Sequence, residues 1–462
     1  MRASRATRRR LAVVTLVAGA ATAATPDRLP PEALSGGTFT VADDSDQAYA
    51  RLAAGLDSAD LAIALKGREG MQQRWVVAPS ILGLWGRGPL SNGEVCADCH
   101  ANNGRGAPPT AADEPMRSMV LRLSLPGRDA AGGPTPHPGY GVQLQHQGVL
   151  GMVPAEGEAL IAWSTHTVTL ADGQTVELRA PRVRLRHLAY GPIEAETLLS
   201  ARVAPPVVGL GLLEAVPEST LIDLAARALP DGVRGRVNRV LDHETRITVV
   251  GRFGLKASQP GLRQQIASAF HEDLGVTSPL FPTENCMPAQ RECRAMPPGG
   301  KPELTGRQLE ALTVYLRSLG VPARRDTAHP DAVRGERLFA ELGCALCHVP
   351  VLVTGTGAAL PQLAGQTIRP YTDLLLHDMG DGLADGRPEF EAGPRDWRTT
   401  PLWGLGLSAR VNGNAQLLHD GRARTVEEAI LWHGGEATTA RDRYALLPAS
   451  DRAALRRFLD SL

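Results

Sequence analysis

The sequence predicts a mainly α-helical protein of two domains, the first of which carries a β-rich insertion. A Cys-x-x-Cys-His motif occurs twice, at residues 96–100 and 344–348, and predicts two similar domains. Apolar residues recur with helical spacing in several stretches on either side of these motifs. Residues 120–190 instead alternate polar and apolar side chains, a pattern typical of strands.

Length and composition limit the classes of protein to consider. With 462 residues and a mass of 49.0 kDa, the chain has room for two or three domains. Apolar residues make up 43% and charged residues 21%, which excludes general disorder. The 49 basic residues equal the 49 acidic residues in number, so nucleic acid is not an expected partner.

The N-terminal residues predict a secretory signal peptide. Residues 1–23 contain five arginines and no acid, followed by an apolar run over 11–21 and by the small residues Ala21 and Ala23. The run is too short to cross a membrane. We therefore expect cleavage after Ala23, a mature chain without a transmembrane segment, and a periplasmic or secreted location. The alternative is an uncleaved anchor.

The two Cys-x-x-Cys-His motifs have the signature of c-type haem attachment. Two thiols three positions apart lie on one helical turn and can add to the two vinyl groups of a haem, while the histidine binds the iron. The motifs therefore predict two covalent haems, and the long separation between them disfavours a zinc site. The expected attaching residues and iron ligands are Cys96, Cys99 and His100 for one haem and Cys344, Cys347 and His348 for the other.

The two remaining cysteines, Cys286 and Cys293, are separated by six residues. In an oxidising compartment such a pair is expected to form a disulfide. A redox-active role for the pair is the alternative.

The first domain is predicted over residues 24–325. Residues 44–67 favour a helix, and Gly- and Pro-rich loops flank the first motif. The β-rich insertion at about 120–190 contains Asp172 and Gly173 between two alternating runs, which is a hairpin signal. Helical spacing returns at 221–229, 262–274 and 305–319.

The second domain is predicted over residues 326–462, after a Pro- and Arg-rich linker. It has the size of one cytochrome c domain, so the expected fold is two cytochrome c-like haem domains. Residues 332–342 favour a helix before the second motif, and residues 450–462 have apolar spacing for a closing helix.

The sixth ligand of each iron decides between electron transfer and catalysis, because an open position allows a substrate to bind. His433 ends a predicted short helix opened by Thr425, with Glu428 three residues later as in a capping box. This makes His433 the tentative distal ligand of the second haem. His377 and His419 are the other candidates in the C-terminal part.

Several stretches resemble known di-haem enzymes. Residues 398–405 and 418–430 resemble the tail of the bacterial di-haem cytochrome c peroxidases and are similar to the enzyme that matures tryptophan tryptophylquinone. Over nearly the whole mature chain, the sequence is similar to the di-haem oxidoreductase family, whose members are named as thiol oxidoreductases or peroxidases. The stretches that carry this resemblance are 86–89, 96–106, 209–214, 251–254, 284–286 with Cys293, and 377–380.

The resemblance implies an electron-transfer haem in the C-terminal part. In the peroxidases a methionine binds that haem, and the corresponding place here is His433, which implies His/His ligation and a lower potential. The relatives also hold a calcium ion between their haems, so calcium is a further expected cofactor, although no acidic cluster in the sequence identifies its site.

The resemblance also implies that the haem at the first motif is catalytic. Its distal group is left open among His146, His271, His377 and an open position. Arg105 and Arg252 are candidate charges that would polarise a bound peroxide, or alternatively pair with a haem propionate. His377 is the third candidate catalytic residue.

The leading hypothesis is an exported, peroxidase-like di-haem oxidoreductase that exchanges electrons with a small redox carrier, a cytochrome or a cupredoxin, and reacts with a small-molecule oxidant or substrate. The main alternative is an electron-transfer protein in which both irons have six ligands. A third hypothesis is an oxygenase of the rubber-cleaving kind. An open sixth position favours an enzyme, and an apolar channel to the first haem favours the oxygenase.

Overall fold

The computed structural model describes residues 29–79 and 85–462. The predicted signal peptide, residues 1–23, lies outside the described residues. Helix accounts for 30% and strand for 20%, so the predicted mainly-α class is wrong, and the elements do not identify two cytochrome c-like domains. The physical reason is the abundance of Gly (49) and Pro (35), which end helices and leave long connections between short elements.

The described residues form eleven α-helices, most of them short. They are α1 Ser58–Met71, α2 Leu210–Glu214, α3 Glu218–Ala225, α4 Leu262–Leu274, α5 Arg291–Arg294, α6 Gly306–Arg317, α7 Pro330–Glu341, α8 Ser408–Asn412, α9 Val426–Trp432, α10 Thr438–Ala445 and α11 Ala449–Ser461.

The strands of the described residues form small sheets of two or three strands each. They are β1 Thr40–Val41, β2 Val76–Val77, β3 Trp85–Arg87, β4 Met119–Arg128, β5 Pro134–Thr135, β6 Glu158–Thr169, β7 Thr175–Arg186, β8 Leu198–Val203, β9 Asn238–Leu241, β10 Thr248–Gly251, β11 Val321–Pro322, β12 Leu352–Val353, β13 Thr367–Ile368, β14 Leu376–Asp378 and β15 Asp396–Arg398. The sheet with three strands has the order β5-β4-β8.

The largest hydrophobic core lies between α1, α4 and α6. Phe270 of α4 and Leu312 and Tyr315 of α6 are buried in it. At Gly67 of α1, a Cβ atom would lie 2.0 Å from the carbonyl oxygen of Ala311, so this close helix contact requires glycine.

A second core in the C-terminal part is built on aromatic rings. The ring of Phe339 on α7 lies 5.3 Å from that of Phe458 on α11 and 5.8 Å from that of Tyr371. Edge-to-face contacts at these distances stabilise beyond the area that they bury. This core packs directly behind the second motif, since Cys344 contacts it.

The β-rich stretch contains one long hairpin. Strands β6 and β7 pair antiparallel along their whole length around the turn at Asp172 and Gly173. The tip packs into the C-terminal core through Leu170 and Val176. Arg179 donates hydrogen bonds to the carbonyl groups of residues 421 and 422, so the hairpin connects the N-terminal and C-terminal parts of the chain.

Contacts of this kind cross the boundary expected at residue 325. The Tyr49 hydroxyl donates a 2.5 Å hydrogen bond to the carbonyl oxygen of Gly404, and Trp403 belongs to the larger core. The domain limits 24–325 and 326–462 stay a prediction. Cys286 and Cys293, the pair expected to form a disulfide, lie at bonding distance with Cα atoms 5.8 Å apart.

Candidate functional site

The first Cys-x-x-Cys-His motif begins with a 3₁₀ turn at Cys96–Asp98. The Asp98 carboxylate accepts hydrogen bonds from the backbone N–H groups of Glu94 (2.9 Å) and Val95 (3.3 Å), which fixes the chain as it enters the turn. His100 follows with its Nδ1 atom 3.4 Å from the carbonyl oxygen of Gly104. Burial lowers the pKa of His100, so its imidazole is neutral at pH 7 and able to bind a metal.

A cavity of about 450 Å³ borders this motif. Its lining includes both cysteines and His100, and most of the remaining wall is apolar. Phe253, Phe270, Leu316 and Trp403 are among the larger apolar side chains that line it. A volume of this order is typical of sites for small ligands and cofactors.

Charged side chains form one part of the cavity wall. Glu389 forms an ion pair with Arg202, at 2.7 Å, and accepts a hydrogen bond from Arg387. Arg122 lies 3.9 Å from Glu272. Although burial alone would raise the pKa of Glu389, the charges of Arg202, Arg387 and Arg122 hold it well below its usual range. The carboxylate therefore stays ionised.

Two arginines of this wall have unused hydrogen-bonding capacity. Arg387 is 2% exposed, and within the described residues its buried Nε atom has no hydrogen-bond partner. Arg398 donates to the backbone carbonyl groups of Gly254 and Thr399, and in the described ranges no carboxylate lies at ion-pair distance from it. Burial lowers the pKa of each guanidinium to about 10. Such groups are suited to pair with an anion inside the cavity.

The second motif begins with a similar 3₁₀ turn, Cys344–Leu346, after Gly343 at a φ of 94°. Because this φ lies in the left-handed region, glycine is favoured at that position. His348 Nδ1 lies 2.9 Å from the carbonyl oxygen of Tyr371, which orients the ring. Burial lowers the pKa of His348 to about 4, and the neighbouring His433 contributes to the shift.

His433 is held in the same way as His348. It follows α9, and its Nδ1 lies 2.7 Å from the carbonyl oxygen of Ala429. Thr425 caps the helix by accepting a 3.1 Å hydrogen bond from the Glu428 N–H, as the sequence predicts. In a capping box, the Glu428 side chain would also accept a hydrogen bond from the backbone N–H of Thr425. Here it accepts from the N–H of Arg424 instead.

His377 has both ring nitrogens engaged by acidic groups. Nε2 lies 2.9 Å from Asp373 and Nδ1 lies 2.6 Å from Glu436 and 3.4 Å from the Cys347 sulfur. Although burial would lower its pKa, these hydrogen bonds raise the pKa of His377 to about 12, so the ring is a cation. His377 therefore lies beside the second motif, and the cavity at the first motif does not include it.

The other proposed distal groups also lie outside the lining of that cavity. Arg105 donates to the carbonyl oxygen of Leu418, and Arg252 donates to three backbone carbonyl groups. His146 pairs with Asn92. His271 has both ring nitrogens engaged, by Glu272 and by the Thr283 carbonyl.

His419, the third C-terminal candidate, is buried against another ring. Its imidazole stacks on Trp397 with centroids 3.8 Å apart, and its Nε2 lies 3.3 Å from Asp420. Both His433 and His377 lie close enough to His348 to lower its pKa, and of these two only His433 has a ring nitrogen that is unengaged by an acidic group.

The charged residues of the cavity wall were missed by the sequence reasoning, except that Arg398 falls in a stretch that resembles the peroxidase tail. They come from separate parts of the chain, and no local pattern connects them. They are Arg122, Asp129, Arg202, Glu272, Asp273, Arg387, Glu389 and Arg398.

A family model described as "Di-haem oxidoreductase, putative peroxidase" matches residues 32–462. The chain belongs to this family. The resemblance found in the sequence is thereby confirmed. Neither the curated proteins nor the solved structures searched contain a match.

Membership of the di-haem oxidoreductase family implies haem cofactors. The residues present fit such groups at two places. At the first motif, a large apolar cavity contains two thiols, a neutral imidazole and the spare donors of Arg387 and Arg398. At the second, the neighbouring rings of His348 and His433 each direct Nδ1 to a backbone carbonyl, the usual orientation of an iron-binding histidine.

A metal site and a membrane-spanning helix each have structural requirements against which the described residues of this di-haem oxidoreductase can be compared. Within the described residues, no group of three or more His, Cys, Asp or Glu side chains could hold a metal ion, and calcium stays a prediction. None of the helices in the described ranges is long and apolar enough to cross a membrane.

Proposed function

We propose that this protein is an exported c-type di-haem oxidoreductase of peroxidase-like activity. One haem is covalently attached at Cys96 and Cys99 with His100 on the iron. The other is attached at Cys344 and Cys347. The two Cys-x-x-Cys-His spacings and the family membership support covalent attachment. The signal-peptide pattern of residues 1–23 supports export.

The two haems have different roles in this proposal. His348 and His433 would hold the iron of the second haem, and a haem held by two histidines would have no position for a substrate and would suit electron transfer. The first haem faces the cavity, whose described lining contains His100 and His243 as its histidines. The observation that carries the proposal is a difference between the motifs: a cavity borders the first, whereas His433 lies close enough to the histidine of the second to lower its pKa.

The haem at the first motif, when bound, supplies the electrons that reduce the O–O bond of a peroxide. Reduction also requires protons at the departing oxygen. Glu272 lines the cavity, and hydrogen bonding from His271 together with the charges of Arg122 and Arg387 lowers the pKa of its carboxyl group against the effect of burial. An ionised Glu272 can accept a proton from a hydroperoxide, and Arg122 beside it can balance negative charge.

Electrons enter at the second haem in this proposal, from a small redox carrier such as a cytochrome or a cupredoxin. The arrangement at His377 supports this role, because a buried cation with two carboxylates fixes the surroundings of Cys347. A rigid, fully ligated haem needs little rearrangement when it gains or loses an electron.

Low-temperature EPR tests the assignment. The protein is examined fully oxidised and again after addition of one electron per molecule, and a high-spin ferric signal in either state is expected from the first haem. Low-spin signals alone in both states would contradict a catalytic first haem and would favour a pure electron-transfer protein. Mass spectrometry of the exported protein tests the remaining part, since the mature chain should begin after Ala23.

A further inference from the structure

Gln290 lies inside the loop closed by Cys286 and Cys293 and is 0% exposed. Its Oε1 accepts a 2.7 Å hydrogen bond from the N–H of Met287, within the same loop. Its Nε2 donates outward, to the carbonyl oxygen of Gly139 (3.0 Å) and to Oε1 of Glu156 (2.5 Å). The side chain thus attaches the loop to a buried acid in another part of the chain.

Glu156 connects Gln290 to Gln145, which lies closer to the cavity wall. It is 2% exposed, and its Oε2 accepts a 2.7 Å hydrogen bond from the N–H of Gln145. The side chain of Gln145 then donates to the carbonyl oxygen of Glu272, at 2.8 Å. Glu272 is the residue of the cavity wall that lies beside Arg122.

Gln143 joins the same end of α4 to the chain that precedes the first motif. Its Nε2 lies 2.6 Å from Asn92 Oδ1, 2.9 Å from the carbonyl oxygen of Glu272 and 2.8 Å from Asp273 Oδ1. Asn92 stands four residues before Cys96. Glu272 and Asp273 both line the cavity.

We infer that Gln290 is a positioning residue for the first haem site, held in place by the Cys286–Cys293 loop and acting through Glu156 and Gln145. The inference rests on the proposed attachment of a haem at Cys96 and Cys99. Gln290, Glu156 and Gln145 are all buried, and Glu156 reaches Gln145 through the backbone N–H of Gln145. A buried polar group that loses its partner has no water to replace it. Loss of the Gln290 amide is therefore expected to move the cavity wall and to leave the second haem unaffected.

The test uses Gln290→Ala and Gln290→Glu in the full chain with both haems bound. The second-haem EPR signal is identified by its response to His433→Met. In the Gln290 variants, we expect the first-haem signal to shift and its reduced-to-oxidised ratio at a fixed ambient potential to change about threefold, which is less than the roughly 10- to 100-fold cost of losing a direct partner of a metal ligand, because Gln290 acts through other residues. The second-haem signal should stay as in the unmodified protein.

Two controls separate positioning from general weakening. Arg291→Ala changes an exposed residue of the same loop and should alter neither signal. Gln290→Ala combined with Glu156→Ala should shift the first-haem signal no further than either change alone, because both interrupt one pathway.

An unchanged first-haem signal in Gln290→Ala and Gln290→Glu would overturn the inference, as would equal shifts at both haems. If the alanine variant does not fold, the glutamate variant decides, since it keeps the side-chain length and the acceptor for Met287. Haem counting on the unmodified protein separates the two proposals. A peptide with Cys96 and Cys99 but no attached haem would contradict the proposed function rather than the role of Gln290.

Discussion

The first Cys-x-x-Cys-His motif borders a cavity of about 450 Å³ with arginines and carboxylates in its wall, whereas the histidine of the second lies close enough to His433, the residue that follows α9, for its pKa to be lowered. Locally the two motifs are alike, since each starts with a 3₁₀ turn and places its histidine in a half-buried position, with the pKa of the imidazole lowered by desolvation. The difference comes from segments far away in the sequence. The surroundings of each Cys-x-x-Cys-His motif are therefore set by side chains that are distant in the sequence.

The strongest way to break this comparison is to remove one thiol pair at a time. Cys96→Ala with Cys99→Ala should abolish attachment at the first site and leave the low-spin signal assigned to His348 and His433. Cys344→Ala with Cys347→Ala should do the opposite. Haem counting by absorbance and mass checks both variants, and a variant that still carries two covalent haems would contradict the assignment.

The next largest effect is expected at the cavity wall. Glu272→Gln keeps the shape of the side chain and removes its ability to accept a proton. Peroxide turnover should fall about 100-fold, the lower end of what a positioned acid–base group contributes. Glu341→Gln, at an exposed acid at the end of α7, is the matched control and should leave turnover unchanged. Equal turnover in the two variants would exclude Glu272 from proton transfer.

The stability of the folded chain should depend on pH through Glu156, a buried acid connected to the first motif's cavity wall. Burial raises the pKa of Glu156 from 4.5 to about 8. Between these values the folded protein holds a proton that the unfolded chain has released, so the free energy of unfolding falls as pH rises through this window. Urea unfolding at pH 5 and pH 8 should show a smaller fall in Glu156→Gln than in the unmodified protein.

Glu196→Gln serves as the control for that measurement, because Glu196 is exposed. It should keep the full pH dependence. A Glu156→Gln variant with the same fall in stability as the Glu196 control would show that Glu156 does not hold the proton.

The smallest expected effect concerns the helix that carries His433. Thr425→Ala removes the side-chain cap of α9 and should lower the free energy of unfolding by about 1 kcal/mol. Ligation of the second haem should persist, because His433 is still held by the carbonyl of Ala429. Urea unfolding measures the loss of stability, and the EPR signal of the second haem shows whether its ligation persists. Thr245→Ala, at an exposed loop position, is the control.

Local sequence patterns predicted the local features. The spacing of apolar residues gave the limits of α4, because a helix buries one face at a fixed period. His433 was found from its place at the end of a short helix, and the bond that orients its ring is to a residue of that same helix. The cysteine spacing of the two motifs is equally local.

Features that depend on distant segments were not predictable. Glu436 lies 59 residues from His377, so nothing in the sequence indicates that it binds the His377 ring. His377 was therefore a candidate distal ligand, whereas in the structure both its ring nitrogens are engaged. Arg122 of β4 and Glu272 of α4 are far apart in the sequence and lie 3.9 Å from each other only in the folded chain. The mainly-α class failed because residues 44–57 form loops and one short 3₁₀ turn where their composition tolerates helix, and because the stretches between the helices contain strands as well as loops.

The long β6–β7 hairpin has a consequence for how the molecule comes apart. Its base begins two residues after Glu156, and its tip is buried among side chains of α7, α9 and α11. Heating is therefore expected to melt the regions around both motifs in one transition. A protease cut after residue 325 should leave two pieces that stay associated, since the hairpin of one piece fills the core of the other.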